Sequence, residues 1–219
     1  GPALDRDLFA VDRAISYLDS AFVAPLPRPA LDAMAAATEE VARRGSVAHE
    51  DQQACVEALR ADLATLVGTA TDRIALVSST SMAFGQVAAG LDWDEGDVVV
   101  VPEGDHPSTV LPWRLLDHRG VEVIEVPTGP FGDLSPDRLD ATLDRAGGRV
   151  RVVALSWVRA ESGWRADLAA TATVAHDHGA LLCVDAIQGL GARPCTVDRW
   201  GVDVLASGAQ KWTLGPQGI

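Results

Sequence analysis

The sequence predicts an α/β fold, a mostly parallel sheet covered by helices on both faces. Three observations lead there. The apolar runs at 98–101, 150–155 and 181–184 are too short for helices and read as strands buried on both sides. Between them lie stretches with helical periodicity and helix-start chemistry. The two kinds alternate, as crossover-connected parallel strands do.

Taken in order, residues 1–14 are read as a helical arm, with Gly1 and Pro2 as a protease-cleavage scar. The segment SYLDSAFVAPLP follows as an extended piece and a proline-punctuated loop. Residues 29–43 are alanine-rich and form a helix with Pro29 in its first turn. A second helix spans 50–67, entered at His49, burying Val56, Leu59, Leu63 and Leu66 and ending near Gly68. Residues 74–77 read as a strand, and Ser79, Thr80 and Ser81 open the next helix. Further strands are expected at 98–101, 121–126, 150–155, 181–184 and 202–205, with helices at 111–117, 136–145 and 168–178. Ser135 and Pro136 are a serine cap and a first-turn proline. The whole amounts to six strands, with residues 1–70 as arm and helices and 71–219 as the sheet domain.

The 219 residues suffice for one good-sized core, and 47% of them are hydrophobic. A net charge of −13, from 18 basic and 31 acidic residues, repels a phosphate backbone and argues against nucleic acid. Cys55, Cys183 and Cys195 are odd in number and unpatterned, which points to a reducing compartment rather than a disulfide or zinc framework. No apolar run reaches membrane-spanning length and no signal peptide is recognised, so the expectation is a cytoplasmic protein without a membrane partner. His176 and His178 are two apart near a helix end and cannot share a helix face, so they are read as cap or surface residues rather than metal ligands.

The chemistry concentrates in the last third. The strand at 181–184 runs into Asp185, with Gln188 just beyond, and Lys211 follows the strand at 202–205 by six residues. If those strands are parallel neighbours, Asp185 and Lys211 emerge together at the carboxyl edge, where open α/β sheets bind ligands. A lysine amine and a carboxylate so placed suit pyridoxal phosphate (PLP), which needs a lysine for a Schiff base and an acid at its pyridine nitrogen. The turn at Ser79, Thr80 and Ser81 offers hydroxyls, free N–H groups and the positive end of a helix to a phosphate. No GxGxxG follows the first strand, which disfavours a dinucleotide enzyme.

DAIQ, a second strand and then QKWTLGPQG resemble the fold-type I PLP enzymes of the class V aminotransferase group. That group includes cysteine desulfurases, C–S lyases, isopenicillin N epimerase-like proteins and kynureninases. The resemblance implies a PLP-transferase-like large domain of three αβα layers, an amino acid substrate and a homodimer. It also implies a small C-terminal domain after Ile219, so the chain is expected to be part of a longer protein. A carboxylate-gripping arginine and any persulfide-forming cysteine would lie there. By resemblance Lys211 is the Schiff-base lysine, Asp185 the pyridine-nitrogen partner and Gln188 a partner of the ring's phenolic oxygen. EGDHPSTVLPW places His106 where it stacks on the ring and can shuttle a proton, with Thr109 where many members have asparagine. Thr80, Ser81 and Ser207 match phosphate-binding positions, and Gln210 stands where many members have histidine. SWVRAESGW matches through Ser156, Val158 and Gly163, with Ala160 at the apparent place of an asparagine found in desulfurases. The resemblance leans towards a C–S lyase, with an aminotransferase or epimerase as the alternative and a non-catalytic scaffold as the competing class.

Overall fold

The structure, a computed structural model, describes residues 5–218. Its centre is a five-stranded, all-parallel sheet in the order β2-β1-β3-β4-β5. The strands are β1 (Val98–Pro102), β2 (Glu122–Val126), β3 (Val150–Ser156), β4 (Leu181–Asp185) and β5 (Val204–Ala206). Helices α1 (Arg28–Arg44) and α2 (His49–Val67) precede them. The connections carry α3 (Thr80–Gly90), α4 (Pro107–Arg114), α5 (Pro136–Ala146), α6 (Leu168–Asp177) and α7 (Val197–Trp200).

Alternating side chains divide the core into two layers. Val98, Val100, Leu155, Leu182 and Val184 pack with Leu139 and Leu143 of α5, Ala172 of α6 and Val197 of α7. Val99, Val101, Val152, Ala154 and Cys183 face the other way, against Phe84 of α3 and Trp113 of α4. Three αβα layers result, as predicted. The β1–β3 ladder has an irregularity at Arg151: Val98 pairs with Val150, but Val99 pairs with Val152. The extra residue re-phases β3 and turns Arg151 towards Asp97, 3.0 Å from its Oδ2.

The local chemistry explains the element ends. Ser79 accepts a hydrogen bond from Met82 N at the start of α3, and Ser135 does the same for Arg138 N at α5. Gly68 closes α2 in the left-handed conformation, φ 73°. His178 caps α6, its Nε2 2.7 Å from Asp140, and His176 Nε2 lies 2.9 Å from Asp203, so both act in surface pairs.

Four expectations change. Among the described residues, the helical arm is a single 3-10 turn at Arg6–Leu8, because Asp5 and Asp12 accept from Asp7 N and Ala14 N and favour turns over helix; residues 1–4 lie outside the described residues. Residues 74–77 are extended but form no strand: Ile74 packs against the core, while its carbonyl accepts from Arg60 rather than from a neighbouring strand. On α2, Leu66 is exposed and the buried positions are Ala64 and Val67. Helix α4 starts earlier than expected, at Pro107, with His106 as its cap. The strand expected to begin at Gly218 and Ile219 runs outside the described residues.

Candidate active site

The sheet order sets the location. From β1 the chain moves first to β2 on one side and then to β3 on the other, so the loops leaving β1 and β3 part and open a crevice at the carboxyl edge. Into it come Asp105 and His106 after β1, Ser156 at the end of β3, Asp185 at the end of β4 and Lys211 after β5.

Asp185 is buried, with 2% of its surface exposed. Its Oδ1 accepts from Ile187 N at 3.0 Å. Its Oδ2 accepts from Ser108 Oγ at 3.0 Å and from Thr109 Oγ1 at 3.3 Å. Burial pushes the carboxyl above its ordinary value, and the Ile187 N–H, the Ser108 hydroxyl and His106 pull it back. A carboxylate has about four lone-pair sites, so with three used one acceptor position remains.

His106 is exposed at the mouth and joins this cluster through Ser108, whose Oγ lies 2.7 Å from His106 Nδ1. Ser108 Oγ gives its one proton to Asp185, and His106 Nδ1 accepts from Ser108 N at 3.3 Å as the cap of α4.

Lys211 is half-buried, and burial draws its amine below the ordinary lysine value while Asp185 and Asp19 hold it back. Its loop is fixed on two sides. Gly191, at φ 88°, lets the Trp212 carbonyl come where a Cβ would stand 2.6 Å from it. Leu214 is held in the left-handed region at φ 59°, which costs a non-glycine residue roughly 1–2 kcal/mol. Gln188 accepts from Trp212 Nε1 at 3.0 Å and donates to Ala21 O at 3.0 Å. The amide therefore ties the 17–26 segment to the Lys211 loop, with one N–H still free.

The phosphate candidates stand apart from this cluster. Thr80 heads α3, which packs beside β5, and Ser207 follows that strand. Thr80 is buried, and its Oγ1 has no hydrogen-bond partner among the described residues. Ser81 is exposed, and Ser207 Oγ donates weakly to Gly208 O at 3.3 Å. None of the three bonds to the Asp185 cluster. A buried hydroxyl without a partner at a helix N-terminus is a donor awaiting an anion. These residues fit PLP: an anion cradle on α3, a buried acceptor at Asp185 and a desolvated amine at Lys211.

Sequence reasoning gave no role to Asp105, Ser108 and Arg159, which support the cluster, and named Ser156 only as a matching position and Thr109 only as a departure from asparagine. Ala160, expected near the ring oxygen, is exposed in the turn beyond β3; the residue directly after the strand is Trp157, whose N–H donates to Asp185 O at 2.8 Å.

With this geometry in place, the family model for aminotransferase class-V matches residues 16–219. The chain belongs to the class V aminotransferase family. It is 34% identical over 206 residues to a probable cysteine desulfurase of Methanothermobacter thermautotrophicus, covering 92% of this chain and 51% of that protein. Among solved structures it resembles the cysteine desulfurase CsdA of Escherichia coli, with TM-score 0.85 and 26% identity over 97% of this chain and 55% of that one. It also resembles the cystine C–S lyase C-DES, solved with its reaction product cysteine persulfide, with TM-score 0.85 and 25% identity over 92% of this chain and 55% of that one. The chain spans about half the length of the curated relatives it matches.

Proposed function

We propose that this class V chain is the cofactor-binding part of a PLP-dependent C–S lyase of the cysteine desulfurase type, acting on a β-thiol amino acid. The observation that carries the reading is Lys211: a half-buried amine, depressed by desolvation, on the loop beyond β5 beside the buried Asp185 of β4. Similarity to a cysteine desulfurase and to a cystine C–S lyase supports the substrate class. Residues 71–219 hold the cofactor, and residues 1–70 form the arm and helices beside it. The protein acts as a cytoplasmic homodimer. Three free cysteines fit a reducing compartment, and among the described residues no helix is long and apolar enough to cross a membrane.

When bound, PLP supplies an electron sink conjugated to the substrate's α-carbon. The chain does the rest. Lys211 Nζ would hold the cofactor and, as a free amine, would accept the substrate's α-proton; its desolvation raises the neutral fraction needed for both tasks. Asp185 would offer its remaining lone pair to the pyridine N–H and favour the charged nitrogen. His106, at the mouth, would face the ring, and Gln188 would offer its free N–H to the phenolic oxygen. The α3 N-terminus, with Thr80 and Ser81, would hold the phosphate, and Ser207 would add a hydroxyl.

Borohydride reduction of the protein with PLP, followed by peptide mapping, tests this reading. The pyridoxyl group is expected on Lys211, with sulfide released from cysteine by the unreduced protein in the presence of a thiol reductant. A label on another residue, or none, overturns it; an unlabelled protein that captures a partner would be the scaffold. A Lys211 label with amino-group transfer but no sulfide would keep the cofactor reading and replace the lyase with an aminotransferase.

A further inference from the structure

A second buried carboxylate lies behind Asp185. Asp105 follows β1, and its side chain is 1% exposed. Its Oδ1 accepts from Ser156 Oγ at 2.6 Å and from His106 N at 2.7 Å, and its Oδ2 accepts from Ser156 N at 2.9 Å. The nearest cation is Arg159, 7% exposed, whose Nη1 stands 3.5 Å from Asp105 Oδ2. Nη2 of the same guanidinium donates to Gly104 O at 2.8 Å and to Glu103 O at 3.2 Å. Those bonds anchor it to the loop after β1, while Nη1 makes no hydrogen bond of its own.

The two carboxylates meet through a pair of hydroxyls. Ser156 Oγ and Thr109 Oγ1 are 3.5 Å apart. Ser156 spends its proton on Asp105 and Thr109 spends its proton on Asp185, so no proton remains for the contact between them. Two buried anions thus back onto one hydroxyl pair, an arrangement that is costly unless a cation compensates.

We propose that Arg159 and Asp105 are positioning residues: Asp105 fixes His106 and Ser156, and Arg159 supplies the counter-charge that lets Asp185 stay anionic next to it. This rests on the reading of Asp185 as the pyridine-nitrogen partner. The charged and titratable groups facing the pair are His106 on the loop after β1, Arg159 after β3 and Lys211 after β5. Cys183 of β4 lies behind, its thiol pushed up to about 12 by burial and therefore neutral. Glu103 is exposed, and Asp19 acts on Lys211. Asp105 itself adds to the upward pressure on Asp185. Without Arg159, only the Ile187 N–H, the Ser108 hydroxyl and His106 work against that repulsion, and Asp185 takes up a proton at higher pH.

The test compares wild type, Arg159→Met, Arg159→Lys, Asp105→Asn and the Asp105→Asn/Arg159→Met double variant. PLP affinity is measured by equilibrium dialysis across a pH series, and Tm of the PLP-free protein across the same series. Arg159→Met is expected to raise the acid midpoint of PLP binding by about one pH unit, the scale of coupling between strongly interacting groups. The double variant should return it to the wild-type value or below. Asp105→Asn should move it the other way, and Arg159→Lys, which keeps the charge, should leave it in place. Without PLP, Arg159→Met should lose Tm with rising pH over a wider range, and the double variant should not. Variants that lower Tm with unchanged midpoints and unchanged pH slopes would make the pair merely structural and overturn the proposal. If Arg159→Met does not fold, the downward shift in Asp105→Asn decides, and its absence overturns it. A wild type that takes up no PLP defeats the functional reading instead, and the Tm series alone then judges the coupling.

Discussion

Replacing Asp185 with asparagine should separate stability from activity. Asparagine keeps the shape: Oδ1 can still accept from Ile187 N, and Nδ2 can donate to the hydroxyl oxygens of Ser108 and Thr109, now 3.0 and 3.3 Å from Asp185 Oδ2. What is lost is the charge. Burial has raised the Asp185 carboxyl, so its contribution to stability is fully present below the unfolded value of about 3.9 and is lost as pH rises through the higher folded value. Asparagine has no such loss, so the PLP-free variant should match or exceed wild-type Tm at neutral pH, with a flatter Tm–pH profile. Activity should go the other way. A hydrogen bond to a charged group is worth roughly 1.5–3 kcal/mol, and at about 1.4 kcal/mol per tenfold its loss alone slows turnover roughly 10- to 100-fold. Losing the counter-charge at the ring nitrogen adds to that. Sulfide release from cysteine and differential scanning fluorimetry from pH 5 to 9 (a range of about four units around neutrality) give both readouts. Turnover within threefold of wild type would reduce Asp185 to a strand-end cap, with the approximate threshold set by the weakest of these effects.

Thr80→Val should raise the PLP-free Tm, because a buried hydroxyl without a partner is removed, yet weaken PLP affinity about tenfold, measured by dialysis. The rate of α-proton exchange, followed by deuterium uptake into substrate, should rise with pH through a midpoint below the ordinary lysine value of 10.5, since desolvation lowers the Lys211 amine. Gln188→Leu should cut both bonds that tie Ala21 to Trp212 and speed hydrogen exchange in residues 17–26, while Gln188→Glu keeps the Trp212 bond and should do so less.

The sheet was legible where strands are buried on both faces, since β1, β3 and β4 are near-continuous apolar runs that nothing else could accommodate. The run at 74–77 looked the same in sequence but is not paired: an apolar run reports burial, whereas a strand also needs a neighbour for its backbone. Asp185 and Lys211 stood out because each follows a strand at the carboxyl edge. Asp105, Ser108 and Arg159 did not, because a loop carboxylate, a helix-start serine and an arginine near a turn are ordinary until the β1 and β3 loops bring them together.

The unsatisfied groups also constrain what must bind. Among the described residues, three buried side-chain polar atoms lack a hydrogen bond: Trp113 Nε1, in the core beneath α4, Arg159 Nη1 and Thr80 Oγ1. Arg159 has Asp105 beside it, so Thr80 alone among the site residues is wholly without a partner. Asp185 is a buried carboxylate with a spare lone pair and no cation bonded to it, and Lys211 is an amine partly stripped of water. Each of the three costs free energy in the empty fold, and each asks for a different chemistry: an anion at α3, a cationic N–H at Asp185 and an electrophilic carbon at Lys211. A simple phosphate would satisfy the first alone, and an amino acid, with a carboxylate and an ammonium, could meet the first two but brings no electrophilic carbon for the third. One molecule carrying all three functions on a rigid ring satisfies them together. Such a ligand should bind more tightly than inorganic phosphate and so stabilise the fold by more at equal concentration, reaching about 2.7 kcal/mol at a hundredfold excess over its Kd. Pyridoxine phosphate, which lacks the aldehyde, should raise Tm by an intermediate amount, and an equal shift from phosphate alone would mean that the Asp185 and Lys211 groups take no part in binding.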